Sequence, residues 1–163
     1  MTALALDLPS AVAGASLSAA SDLVIQTQCF GAIRAASEDL LTFAAGMYGF
    51  PDCHQFVLLP AGDDLWWLQS AEHASLFFLL ADPFPAVPGY AVDLGPVDRM
   101  ALGAHEPEEI AVFAVVNLRP GHQATINLQG PIAINLRTRQ GRQLAIADSA
   151  YGVSAPFTMP PLR

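Results

Sequence analysis

Four histidines, two cysteines and fifteen carboxylates are the residues on which this chain could build a reaction centre. His54, His73, His105 and His122 stand apart, and none belongs to an HxH, HxxxH or HExxH arrangement that would set two imidazoles on one metal. Cys53 and His54 are adjacent, yet a thiolate–imidazole pair is assembled across a fold rather than between chain neighbours. A serine nucleophile needs a strained elbow such as G-x-S-x-G, and the chain has none, nor a P-loop or a dinucleotide fingerprint. Asp63-Asp64 and Glu106-x-Glu108-Glu109 lack calcium-loop spacing and read as solvated charge in turns. No metal or cofactor is expected, and a catalytic reading starts from very little.

Two features suit recognition better than catalysis. Trp66-Trp67 sends one indole to each side of a strand: one belongs to the core, while the other either packs beneath the proline-rich segment or anchors a partner. Residues 126–135, INLQGPIAIN, alternate Ile126, Leu128, Ile132 and Ile134 with the carboxamides Asn127, Gln129 and Asn135. That spacing predicts an outer sheet face carrying three carboxamides, which either satisfy turns and solvent or meet a partner. Gly130-Pro131 reads as a bend that lets a small barrel close.

The elements that must position these residues are short strands. Strands are expected from Leu23 to about Phe30, with Gly31–Arg34 as a continuation past a bend, and at Glu38–Phe43, Gln55–Pro60, Leu65–Gln69 and Leu76–Ala81. Leu65–Gln69 and Leu76–Ala81 should pair antiparallel. The stretch ADPFPAVPGY has three prolines in six positions and reads as extended chain packing Phe84 and Tyr90 onto the body. One short helix fits near 96–103. Ile110–Leu118 is apolar on both faces and therefore central; Gln123–Asn135 follows, then Arg142–Ala147 after a hairpin connection at Arg139-Gln140-Gly141. The pattern predicts an all-β fold, a small antiparallel β-barrel or sandwich. A single domain over 22–155 is expected, between a flexible Ala/Ser-rich tail at 1–21 and a C-terminal tail at 156–163.

Charge narrows the partners. The net charge is −8 with no lysine, and residues 1–112 hold fourteen of the fifteen acids but two of the seven arginines. Such a surface repels nucleic acid and steers a basic protein. Arg137, Arg139 and Arg142 are expected to form local salt bridges. The two cysteines outline no disulfide framework, so a reducing compartment is expected. The N-terminal stretch has no basic region before Arg34 and does not read as a signal peptide; no apolar run approaches a membrane span.

Taken in order, Phe43-x-x-Gly46-Met47-x-Gly49-Phe50, Phe56-Val57-Leu58-Leu59-Pro60, Phe77 to Pro83, Pro88-Gly89-Tyr90, Asn127 to Asn135 and Gly141-Arg142-Gln143 resemble the flagellar assembly factor FliW family. The likeness covers about residues 23–150. Ala44 stands where the family has proline, Met47 where it has leucine, and Gly130 where it has alanine. The resemblance implies a cytoplasmic, non-catalytic β-barrel protein that binds flagellin and, alternatively, the RNA-binding translational repressor CsrA, coupling flagellin synthesis to export. Candidate contact residues are the acids Glu72, Asp82, Glu106, Glu108 and Glu109, with Trp67, Asn127, Gln129, Asn135 and Gln143. Two other readings compete: a small-ligand barrel with a cavity near Trp66 or Trp67, and a hydrolase using Cys53 or a carboxylate pair.

Overall fold

The computed structural model describes residues 22–121, 123–147 and 150–163; the expected tail at 1–21 lies outside the described residues. Among the described residues, eleven strands and two α-helices form in the order β1 (Asp22–Thr27), β2 (Gly31–Ala36), β3 (Leu41–Thr42), β4 (Gln55–Gly62), β5 (Leu65–Ser70), β6 (Phe77–Ala81), α1 (Pro83–Ala86), α2 (Pro96–Leu102), β7 (Ile110–Arg119), β8 (Gln123–Ile126), β9 (Ile132–Asn135), β10 (Gln140–Gln143) and β11 (Ala155–Phe157). The large sheet runs β11-β8-β7-β6-β5-β4-β3-β10-β9, and β9 returns to pair with β7. That last pairing closes a seven-stranded barrel from β3, β4, β5, β6, β7, β9 and β10. All pairings in it are antiparallel except β3 with β10, which is parallel.

Side-chain alternation sorts two cores from the same strands. Inside the barrel, Leu41, Phe43, Phe56, Leu68, Leu80, Phe113, Ile132 and Ile134 pack with Trp66 and Phe78. Trp66 meets Phe113 edge-on at 5.0 Å between ring centroids. On the outside, Leu65, Leu79, Ala114, Val116, Ile126 and Leu128 form a second core beneath Tyr90, Tyr151 and Phe157. The hairpin β1–β2 lays Ile25 and Ala35 over Val57 and Leu59. Helix α2 covers Ala133 and Leu144 with Leu102.

Five readings of the sequence are corrected. Residues 23–34 are a hairpin rather than one bent strand, because the chain turns through Gln28–Phe30 and Gly31 takes φ 69°. The proline-rich segment contains one helical turn, α1: Pro83 sits at the start, where its missing N–H is not needed, and Asp82 accepts from Phe84 N at 2.9 Å. The β9–β10 turn is Leu136–Arg139, with Arg139 at φ 58°, so Gly141 lies within the strand. Residues beyond 155 add β11 to β8, and Leu162 bridges to Gly62.

INLQGPIAIN, fifth, is not one continuous strand. Both of its halves lie along the same edge of β7, from Val116↔Ile126 to Phe113↔Ile132; Asn127 N still donates to Val115 O, and residues 128–131 leave the ladder. The insertion changes what the alternation means. Ile126 and Leu128 enter the outer core, whereas Ile132 and Ile134 enter the barrel.

Candidate protein-partner surface

Three of the quoted sequence pieces meet at one side chain. Gln143 on β10 accepts a hydrogen bond from Tyr48 N at 2.9 Å and donates to Gly130 O at 3.1 Å. It therefore ties the 43–50 turn to the 127–131 loop. The turn itself depends on Gly46, at φ 66°, where a Cβ would come within 2.5 Å of Phe50 O. Inside the loop, Asn127 Oδ1 accepts from Gln129 N and Gly130 N, a side chain closing its own turn. Gln129 donates to Tyr151 O at 2.5 Å, and Tyr90 OH donates to Leu128 O at 2.8 Å. Burial of the Tyr90 phenol pushes its pKa up to about 12.

Asn135 is the carboxamide that the sequence misplaced. It is wholly buried rather than on an outer face. Its Nδ2 donates to Leu102 O and Gly103 O, and its Oδ1 accepts from Arg137 N and Thr138 N. It fastens α2 to the β9–β10 turn and has no surface to offer a partner.

The acids divide into engaged and free. Glu72 accepts from His54 N and Gln55 N, and those amide bonds, Gln55 first, hold its carboxyl below the usual range. Asp82 caps α1, and burial pushes its carboxyl up. Glu109 pairs with Arg137 at 2.8 Å and accepts from His105 N; the guanidinium hydrogen bond leads in pushing it down to about 2. Arg139 pairs with Asp39, and Arg142 with Asp98 at 2.7 Å, so the three clustered arginines are neutralised locally. Glu106 and Glu108 are exposed, and no arginine lies within ion-pair distance of either among the described residues.

Cys53 is buried and its thiol lies 3.0 Å from Ser70 Oγ; desolvation raises its pKa, which keeps it the thiol rather than the thiolate. The adjacent His54 turns Nδ1 to Phe43 O instead. Cys29 is exposed and also free. Among the described residues, no group of three or more His, Cys, Asp or Glu is arranged to hold a metal. No helix is long and apolar enough to cross a membrane among them.

Trp67 points outward, as alternation requires, but it is half-buried against Phe30 of the hairpin tip (5.8 Å between centroids) and Phe77 (5.6 Å), not beneath the prolines. Beside it lies a groove of about 260 Å³ lined by Trp67, Phe77, Leu79, Val116 and Leu118, among others. Sequence reasoning passed over Phe30, Phe77 and Leu118 as ordinary strand apolars. The usable signal was that LFFLL and IAVFAVVNL are apolar on both faces, so some of those side chains must point away from the barrel interior.

The family model described as "FliW protein" matches residues 24–157. The flagellar assembly factor FliW of Exiguobacterium sp. is 38% identical over 138 residues, covering 83% of this chain and 94% of that protein. The one from Moorella thermoacetica is 37% identical over 131 residues, covering 78% and 83%. A crystal structure of the flagellar assembly factor FliW superposes with a TM-score of 0.78 at 30% identity, covering 83% of this chain and 98% of that one. With a matching model across most of the barrel and a matching fold, this chain belongs to the FliW family of flagellar assembly factors.

Proposed function

We propose that this protein is a non-enzymatic, cytoplasmic factor that binds flagellin and, in competition with it, the translational repressor CsrA. When flagellin is exported, the freed factor takes the repressor, so that synthesis follows secretion. The observation that supports this best is the surplus of carboxylate left after the ion pairs are formed. Among the described residues, Glu106 and Glu108 remain without an ion pair and are exposed, on a body of net charge −8. A basic RNA-binding protein is drawn to such a surface, and RNA phosphates beside it are repelled. Within the original set of candidates, Glu106 and Glu108 are the best placed for this role, because Glu72, Asp82 and Glu109 already have local partners.

Size-exclusion chromatography of the purified protein with CsrA and with flagellin from the same organism tests the reading. Co-elution with each, and displacement of one by the other, is expected. Elution apart from both would sink it. A gel-shift titration then separates charge from contact: Glu106→Gln/Glu108→Gln should release RNA from CsrA less well than the unaltered protein.

A further inference from the structure

The strands that form the groove beside Trp67 part company. β6 pairs with β7 at Leu79↔Val116, Leu80↔Val115 and Ala81↔Ala114, and there the ladder stops. Phe77 and Phe78 continue β6 while pairing only with β5; Asn117, Leu118 and Arg119 continue β7 while pairing only with β8. Among the described residues, the two facing backbone edges are thus left without a strand between them. Backbone edges of this kind accept an added strand, with alternate side chains filling pockets. The pocket is already apolar: Trp67, Phe77, Leu79, Val116 and Leu118 share the outward face, with Leu118 54% and the neighbouring Phe30 36% exposed.

The local charge suits this place to an acidic segment. Residues 110–147 contain no Asp or Glu, but four arginines. Three of those, Arg137, Arg139 and Arg142, are in ion pairs. The fourth, Arg119, follows Leu118 at the end of the groove and hydrogen-bonds only to Ser154 Oγ, with no carboxylate in ion-pair range among the described residues. A segment bearing a carboxylate, which the net negative body disfavours, meets an available cation here.

We propose that this groove docks an extended apolar segment of a protein partner, entering between β6 and β7 and setting a carboxylate against Arg119. The proposal rests on the two-partner reading to the extent that it gives the groove to flagellin and leaves the unpaired acids to the basic repressor.

The test measures affinity for purified flagellin and for CsrA with Leu118→Glu, Arg119→Glu and, as an exposed apolar control on α2, Val97→Glu. Flagellin affinity is expected to fall at least tenfold in Leu118→Glu and several-fold in Arg119→Glu, and to hold in Val97→Glu. CsrA affinity should stay within twofold throughout. Flagellin binding that is unchanged in Leu118→Glu overturns the proposal. So does a concentration-dependent dimer of this protein that Leu118→Glu dissolves, since the occupant is then a second copy. If the unaltered protein binds no flagellin, the functional reading fails by itself, and a defined probe decides the groove. The peptide acetyl-Thr-Val-Thr-Phe-Thr-Asp-amide should change tryptophan emission in the unaltered protein and not in Leu118→Glu, and should bind more tightly than its lysine counterpart. No emission change, or no preference for aspartate, overturns the proposal.

Discussion

Replacing Gly141 by alanine should destabilise the protein, although the same change in an unobstructed strand would stabilise it. Gly141 sits in β10 opposite Ile134. A methyl group there would fall on Cε2 and Cζ of Phe43, inside van der Waals contact, and 2.9 Å from Cδ2. Phe43 cannot move aside: it is fully buried, stands edge-on to Phe56 at 5.1 Å, and its backbone is held by His54 O at 2.8 Å. β10 cannot withdraw either, because it is paired to β9 on one side and β3 on the other. Overpacking of this kind costs about 1–3 kcal/mol. The smaller unfolded-state entropy of alanine offsets about 0.4–1 kcal/mol of that. A net loss of about 1.3 kcal/mol corresponds to a Tm lower by roughly 3–5 °C in a chain of this size. Calorimetry and urea denaturation read both quantities. The cause is tested by pairing Gly141→Ala with Phe43→Leu: the smaller side chain makes room, so the double variant should be more stable than additivity predicts by about 1–2 kcal/mol. A Gly141→Ala protein as stable as the unaltered one, or strict additivity in the pair, would refute the argument.

Two further outcomes follow from the hydrogen-bond and ionisation chemistry. Asn135→Leu strands the Arg137 and Thr138 N–H groups and should cost on the order of 3 kcal/mol in urea unfolding, against about 1 kcal/mol for Asn127→Ala, whose turn is half-exposed; equal costs would contradict the buried role of Asn135. Glu109 titrates near 2 when folded and near 4.5 when unfolded, so the stability it contributes is complete above about 4.5 and is lost as pH falls toward about 2; the measure is carbonyl NMR of Glu109, and Arg137→Gln should move its midpoint back up.

How much could be read beforehand depended on whether a local rule and the tertiary contact agreed. β4, β5 and β6 fall close to their expected bounds because the turn at Asp63-Asp64 and the polar connector at 71–76 leave their ends no alternative. The helix at 96–102 announced itself through Pro96 at its start and Gly103 after its end. Closure into a barrel also matched, since β7 is apolar on both faces and ends up flanked by strands on each edge. What failed needed long-range knowledge. Nothing in INLQGPIAIN tells that its two halves feed different cores, because period-two alternation says only that faces alternate, not what lies above each face. Asn135 was indistinguishable from Asn127 until the chain brought Leu102 and Gly103 over it. Gly141 read as a turn glycine because the reason for it, the Phe43 ring, is about a hundred residues away. The groove was hidden for the same cause: an apolar strand residue looks like core until its neighbouring strand is seen to diverge.

The parallel seam between β3 and β10 also bears on how the barrel forms. Its one register pair, Gln140↔Thr42, joins residues far apart in the chain, whereas β4–β5, β5–β6 and β9–β10 each close within a short hairpin. Long loops cost more entropy to close, and parallel crossovers have no local turn to nucleate them. The seam is therefore the step for which the folding chain must wait. It is fastened by Thr42 N on Arg139 O and by the Arg139–Asp39 pair, both beside the Arg139 turn. Folding speed in this protein then depends on that small latch, while the hairpins that close within a few residues bear chiefly on its final stability.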